Sequence, residues 1–233
     1  MKQIIEFPHT MWISQYTIRF AFDEAISQEN FQLVQQFNRF LKKMLHTNLI
    51  ESVASYHTVT AYVKHQVDIA FLQEQWLTMQ RNAQVGEVTS QPLQIPICYD
   101  EEYALDMHRV MDVTALPFEA IKKLHMDKVY SVYLIGFLPG FPYLGDLHSQ
   151  LFVPRLTKPR PLVSAGSVGI GGLQTGIYPL DSPGGWNIIG KTPFTLFDIH
   201  RKAPFLFTLG GQVQFYEITK QAFLEIKVKE CSN

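Results

Sequence analysis

Five side chains able to donate or accept a hydrogen bond, Ser167, Gln174, Thr175, Tyr178 and Ser182, fall inside one glycine-rich stretch. Hydroxyls and amides at this density suit the binding of a polar small molecule, with backbone N–H groups as further donors. Two arginines precede them in a repeated pattern, Pro154-Arg155 and Pro159-Arg160. Guanidiniums on proline-stiffened backbone could grip a carboxylate or phosphate, or could equally tie the loop to backbone carbonyls. His125, further upstream, ends a short predicted helix. It reads either as a partly buried histidine favoured by the helix dipole or as an acid–base group. Ser167 is a nucleophile candidate, but Ala165-Gly-Ser-Val-Gly169 is not a G-x-S-x-G elbow, which favours binding over covalent chemistry.

The stretch that carries these groups, residues 136–193, holds eleven of the fourteen glycines and eight of the thirteen prolines. It is not linker composition, because Phe137, Phe141, Tyr143, Ile170, Tyr178, Trp186, Ile188 and Ile189 are threaded through it. Turn-formers alternating with core-sized side chains predict specified turns with buried anchors. Gly185-Trp-Asn-Ile-Ile-Gly190-Lys191-Thr192 satisfies the phosphate-loop spacing formally. Pro193 and the strand-like Phe194–Phe197 then follow where that motif needs a helix. Trp186 and Tyr143 read as core anchors before ligand platforms. Glu101, Glu102, Asp106 and Asp112 read as solvated helix faces, and His108 and His125 lie too far apart to share a metal.

The elements that must position this stretch fall into two differently built halves, since Gly86 is the one glycine before position 136. In the first half, Tyr16, Ile18, Phe20 and Phe22 alternate as in a half-buried strand. Ser27 could cap a helix with the stripe Phe31, Val34, Phe37, Leu41, Met44 and Leu45. Strand-like runs at Leu49–Ser55 and His57–Lys64 follow, then a helix over Val67–Gln80 and a strand at Leu93–Cys98. That order, β-α-β-β-α-β, predicts an α+β domain of ferredoxin-like type over residues 1–90. The second half, residues 91–233, opens with Pro-rich Gln91–Pro96. Helices are predicted at Asp106–Asp112 and Pro117–Met126, and a strand at Val129–Phe137. Short strands are predicted at Leu162–Ser164, Ser167–Ile170, Gly176–Tyr178, Asn187–Ile189, Thr195–Phe197, Val213–Tyr216 and Ala222–Lys229. Many short strands with regular turns predict a barrel or sandwich.

Composition narrows the classes. At 46% apolar and 18% charged, the 233 residues can bury a substantial core. A net charge of −1 argues against a nucleic-acid partner. Cys98 and Cys231 match no metal spacing and no disulfide framework, so a reducing cytoplasm is expected. No apolar run is long enough to span a membrane, and the N-terminus does not read as a signal peptide.

The ordered set Tyr130–Gly145, Pro154-Arg155, Pro159-Arg160, Ala165–Val168, Gln174–Pro179, Ser182–Trp186 and Gly190–Pro193 resembles the 5-oxoprolinase B-subunit family. That family is also called allophanate hydrolase subunit 1 or the KipI kinase-inhibitor family, and is similar to part of the urea carboxylase carboxyltransferase region. The resemblance implies a ferredoxin-like domain followed by a cyclophilin-like β-barrel. It implies work with separate A and C subunits, opening 5-oxoproline to L-glutamate at the expense of ATP. No metal site is implied in this chain. It carries catalytic roles onto His125 and Ser167, and substrate contacts onto Arg155, Arg160, Gln174, Thr175, Tyr178 and Ser182. Loop-shaping roles fall on Phe137, Pro139, Gly140, Tyr143, Gly166 and Trp186. The chain departs from the family pattern at Ser164, where proline is usual. It departs again at Gly210-Gly-Gln-Val-Gln-Phe215, where an acid and a base are lost at Gly211 and Gln214. Two other readings follow from the same resemblance: a binding-only inhibitor of a sensor histidine kinase, and part of a biotin-dependent carboxyltransferase.

Overall fold

The computed structural model describes residues 6–24, 28–82 and 91–231. The chain divides between Thr89 and Ser90 into two compact units.

The first unit has strands β1 (His9–Ser14), β2 (Thr17–Ala21), β3 (Leu49–Ser55) and β4 (Thr58–Val63). They form one antiparallel sheet in the order β1-β2-β4-β3. Helices α1 (Gln28–Leu45) and α2 (Ile69–Asn82) complete the unit. The apolar stripe of α1 buries as its spacing requires, at Phe31, Val34, Phe37, Leu41 and Leu45, with Phe40 added and Met44 left half-exposed. Phe37 sits at the centre, its ring 5.0 Å from Phe20 and 5.0 Å from Trp76 of α2. The Asp68 side chain accepts from the Phe71 N–H and starts α2, two residues later than the sequence suggests. The cap expected at Ser27 lies outside the described residues.

One correction concerns the order of elements. The strand expected at Leu93–Cys98 to finish this order spans Leu93–Ile97 and belongs to the sheet of the second unit. Its Ile95 and Ile97 are fully buried there. The edge beside β2 is taken instead by β1, an N-terminal strand without a signature in the sequence. Four of its six residues are exposed in a row from Met11 to Ser14, so it lacks the alternation that marks a half-buried strand. The β-α-β-β-α-β order therefore does not describe this unit.

The second unit contains β5 (Leu93–Ile97), α3 (Met107–Thr114), α4 (Phe118–Met126), β6 (Val129–Ile135), β7 (Pro142–Gly145), β8 (Arg160–Val163) and β9 (Ser167–Gly171). It continues with β10 (Gln174–Ile177), β11 (Ser182–Gly184), β12 (Asn187–Lys191), β13 (Gln212–Glu217) and α5 (Lys220–Cys231). Seven strands pair in the order β12-β9-β10-β7-β6-β13-β5. Just past β5, the Cys98 N–H donates to the Lys191 carbonyl at 2.8 Å, and the Lys191 N–H donates back to Cys98 at 3.0 Å. That bridge joins the two ends of the sheet into a nearly closed barrel, which removes exposed edges. Tyr130, Val132, Leu144, Val168, Ile170, Ile177, Ile189, Val213 and Phe215 fill the core, and Met107, Val110 and Ile121 of α3 and α4 pack into it. β8 and β11 form a separate two-stranded ribbon.

The stretch Ala222–Lys229 is helical, where the sequence suggested a strand. Its apolar residues alternate, but Phe223 is the one buried among Phe223, Leu224 and Val228, so no sheet face exists to reward alternation. Thr219 caps the helix by accepting from the Ala222 N–H. Thr195–Phe197 forms no strand, only an isolated bridge from Phe197 to Phe205.

The glycines of the barrel wall admit an aromatic ring onto the backbone. A methyl group on Gly171 would lie 2.9 Å from the Trp186 indole. One on Gly176 would meet the Pro142 carbonyl at 2.8 Å and the Phe141 and Trp186 rings at 3.0 Å. Gly176→Ala is therefore expected to cost about 1–3 kcal/mol by overpacking. Gly136→Ala, whose methyl would meet only Leu134 at 3.8 Å, should stay within about 0.5 kcal/mol of the parent. Urea unfolding of both variants checks this; equal midpoints would refute the close-approach account.

Candidate functional site

Strand alternation sorts the residues of the glycine-rich stretch. In β10, Thr175 and Ile177 face the barrel interior and Gln174 and Gly176 face out. On the outer face, Trp186 lies over β9 and β10, and Phe141, Tyr143 and Tyr178 pack around it with ring centroids 4.9–5.8 Å apart. Two exposed groups complete this patch. The Arg155 guanidinium stands 5.4 Å over the Trp186 ring, and Phe137, 63% exposed, contacts Phe141 edge-on.

Local chemistry explains the loop that presents Phe137. Pro139 and Gly140 occupy the central positions of a turn closed by the Phe141 N–H donating to the Leu138 carbonyl at 3.1 Å. Gly140 has φ +82°, which suits glycine at the third position of a type II turn. Phe137 itself has φ +70°, a conformation that costs a bulky residue about 1–3 kcal/mol. The turn holds an exposed, strained phenylalanine against the Phe141 edge of the aromatic patch. Gly166 serves a second turn, with φ +83° between Ser164 and Ser167.

The phenols of this patch stay neutral donors. Burial raises the pKa of Tyr178, against a hydrogen bond with the Trp186 backbone and the charge of Arg155. Burial likewise raises Tyr143, again opposed by Arg155. Arg155 has no hydrogen-bond or ion-pair partner among the described residues. Its forked donors are available to a carboxylate or phosphate.

The other predicted site residues do not converge with this patch. Arg160 is engaged in a bidentate pair with Asp106, at 2.8 and 2.5 Å. Asp106 was expected on a solvated helix face, yet it is 7% exposed and also accepts from the Ile188 N–H at 2.7 Å. Arg160 is thus a tie between the β8 ribbon and the barrel. Arg109 and Asn187 add a second tie: Arg109 Nε donates to Asn187 Oδ1, and Asn187 Nδ2 donates to the Pro154 and Ile170 carbonyls. Neither stands out in the sequence, because polar partners so distant along the chain leave no local spacing. Ser182 Oγ is sealed with no hydrogen-bond partner among the described residues. Ser167 is 3% exposed and lies 3.3 Å from Ser164 Oγ, with no histidine in reach among its hydrogen bonds.

His125 occupies the barrel core, fully buried and stacked on Phe215 with centroids 4.7 Å apart. A one-way chain of hydrogen bonds fixes its tautomer. Thr175 Oγ1 donates to the Gly169 carbonyl at 3.1 Å, so it must accept from His125 Nε2 at 2.9 Å. Nδ1 is then left to accept from the Tyr99 hydroxyl at 2.8 Å. Burial depresses the ring pKa to about 3. With both nitrogens engaged and no exposed surface, the ring is placed as a neutral strut, more deeply buried than the partly buried, dipole-favoured histidine that the sequence suggests. Thr175 belongs to the same strut and not to the outer face.

Residues 185–192 form β12 and the turn before it, not a loop feeding a helix, so the phosphate-loop spacing is accidental. Gln214, at one of the family departures, accepts from Gln94 across the β13–β5 pair at 3.2 Å. No group of three or more His, Cys, Asp or Glu able to hold a metal occurs among the described residues. No helix among them is long and apolar enough to cross a membrane.

Known proteins share this sequence and geometry. A family model described as the carboxyltransferase domain, subdomain C and D, matches residues 8–207. The chain is 42% identical over 137 residues to the 5-oxoprolinase B subunit of Bacillus subtilis, a match covering 59% of this chain and 57% of that one. It is 39% identical over 168 residues to the 5-oxoprolinase B subunit of Haemophilus influenzae, covering 72% of this chain and 79% of that one. The urea carboxylase of Kluyveromyces lactis shares the fold, with TM-score 0.74 at 18% identity, over 95% of this chain and 22% of that one.

Two measurements test the assignments. Between pH 6.5 and about 3 the unfolded chain binds a proton on residue 125 that the folded chain refuses. Stability present above pH 6.5 is therefore lost as pH falls toward 3, by up to ~1.4 kcal/mol per pH unit. His125→Gln should remove that part of the slope of unfolding free energy against pH; identical slopes would mean that the ring meets water. Arg160→Ala should cost ~3 kcal/mol by stranding the Asp106 carboxylate, whereas Arg155→Ala should cost no more than ~1 kcal/mol. Comparable thermal midpoints for the two variants would contradict the division of roles.

Proposed function

The chain belongs to the carboxyltransferase-domain family, subdomains C and D, with 5-oxoprolinase B subunits among its relatives, and from that membership we propose that it is the corresponding component of an ATP-dependent 5-oxoprolinase. In this reading it opens 5-oxoproline to L-glutamate together with separate A and C subunits. The observation that carries the chemistry is Arg155, exposed on the Trp186 ring with its donors unengaged. The substrate is a small ring bearing one carboxylate. A forked guanidinium receives the carboxylate bidentately, while Phe137 and Tyr143 offer apolar surface to the ring.

An unactivated lactam resists water, so ATP supplies the driving force by activating the ring carbonyl. This chain presents no phosphate-binding loop among its described residues, and the nucleotide is assigned to a partner protein of the complex. The outer face of the barrel is open, and a second protein laid over it would enclose the substrate and exclude water. We infer from the family resemblance that the nearly closed barrel is of the cyclophilin-like kind. Gln174, on the same outer face as Gly176, is a candidate for the lactam amide.

The test is reconstitution. The purified chain mixed with the A and C subunits should release glutamate from 5-oxoproline only when ATP is present, and the chain alone should release none. Arg155→Ala in the same mixture is expected to raise KM about 10- to 100-fold with a smaller change in kcat, the pattern of lost ground-state binding. Absence of ATP-dependent glutamate with all three proteins folded would end this reading. An unchanged KM would end the role of Arg155.

A further inference from the structure

Ser164 is exposed at the first position of the turn Ser164–Ser167. Lys191 Nζ donates to its hydroxyl at 2.8 Å, and Ser167 Oγ lies 3.3 Å from it on the same turn. The main chain on both sides is fixed. Lys191 exchanges two backbone hydrogen bonds with Cys98, the Gly166 N–H donates to the Tyr178 carbonyl at 2.7 Å, and the Thr192 N–H donates to the Gly166 carbonyl at 2.9 Å. A methyl group at Gly166 would collide with the Thr192 carbonyl, which keeps the turn tight against β12.

An amine held on a serine hydroxyl can take the hydroxyl proton as the oxygen attacks an acyl carbon. The amine must be unprotonated to do so. Burial, and after it the ammonium of Lys227, lower the pKa of Lys191; Asp181 and Glu102 oppose the shift, and the Tyr103 ring faces Nζ at 5.9 Å. Glu102 is itself paired with Lys220, which weakens its opposition.

We propose that Ser164 and Lys191 form an acyl-acceptor site for small activated acyl donors, such as acyl phosphates and activated esters, with Ser164 Oγ as nucleophile and Lys191 Nζ as base. The Oγ–carbonyl carbon bond forms and the carbon–leaving-group bond breaks. The leaving group departs as an anion with the bonding pair. The serine proton passes to Nζ and from there to solvent.

The class of donor follows from the turn. Its amides are engaged: Ala165 N–H to Asp181 Oδ1 at 2.7 Å, Gly166 N–H to Tyr178, and Ser167 N–H to the Ser164 carbonyl at 3.1 Å. These three cannot hold a carbonyl oxyanion, and a missing oxyanion donor costs about 10²–10³ in rate. The ammonium formed on Lys191 is the one counter-charge the turn provides. Donors with a good leaving group meet that limit; unactivated amides do not. The site is independent of the Arg155 patch and of ring opening.

The experiment uses the full chain alone with p-nitrophenyl acetate. A burst of p-nitrophenolate is expected, with one acetyl group located on Ser164 by peptide mass spectrometry. The rate should rise with pH with a midpoint below that of an ordinary lysine. Ser164→Ala should lower the burst at least tenfold. Lys191→Met should do the same with Ser164 still present, and Lys191→Arg, which keeps the positive charge and the packing, should also fail. Circular dichroism establishes that each variant is folded. Acetyl groups spread over surface lysines, an adduct on Lys191 itself, or a burst unchanged in Ser164→Ala would each overturn the proposal.

Discussion

The outer wall of the barrel depends on one close approach, the Trp186 indole laid on the backbone of β9 and β10. Side chains at Gly171 and Gly176 would occupy the volume that the ring fills. Once the ring is there, Phe141, Tyr143 and Tyr178 pack on its edges, and Arg155 covers a face. The glycines therefore do not make this segment flexible. They let a large apolar surface be buried on a sheet that would otherwise carry small outward side chains. Burial of an aromatic residue of this size contributes several times the cost of ordering two glycines.

The interior answers to a different constraint. A barrel closed around apolar residues leaves no solvent for a polar group, so every one admitted must be paired. The run from Tyr99 through His125 and Thr175 to the Gly169 carbonyl meets this demand in one direction, each group donating to the next. It links the segment after β5, helix α4, and strands β9 and β10. A protonated ring would reverse the donor at Nδ1 against the Tyr99 hydroxyl, which adds to the burial penalty on the charged form.

How much of this was legible in the sequence depended on whether a signal was local. Strands β9 and β13 and helix α1 are readable because their apolar periodicity reports a face buried nearby. The turns at Gly140 and Gly166 were readable because Pro and Gly carry dihedral information in themselves. What failed was non-local. Asp106 reads as a solvated acid until Arg160, 54 positions on, arrives beside it. Leu93–Ile97 has the pattern of a strand, yet nothing in its residues says that its partner is β13, more than a hundred positions away. The alternation in Ala222–Lys229 suits a strand, yet the segment is a helix that packs Phe223 against Tyr103. The polar residues of the glycine-rich stretch looked like one site because they were close in sequence. The twofold period of β10 sends neighbours to opposite faces of the wall, Thr175 inward and Gln174 outward.

The same geometry explains why two arginines five positions apart have opposite fates. Asp106 is held by the Ile188 N–H and by its own N–H bonded to the Ile188 carbonyl, so its carboxylate is fixed in place before any cation is considered. A buried carboxylate needs a counter-charge, and Arg160, in the ribbon strand beside it, supplies a planar fork that matches both oxygens. Arg155 has no such anion. Its chain segment is held by the Leu156 N–H on the Gly185 carbonyl and by Asn187 on the Pro154 carbonyl, which places the guanidinium over Trp186. An aromatic face attracts the cation but accepts none of its N–H groups in the plane of the fork. Arg155 is exposed, and no hydrogen-bond or ion-pair partner engages its donors among the described residues. An arginine locked into an ion pair and an arginine left exposed on an aromatic face thus differ here by one buried aspartate.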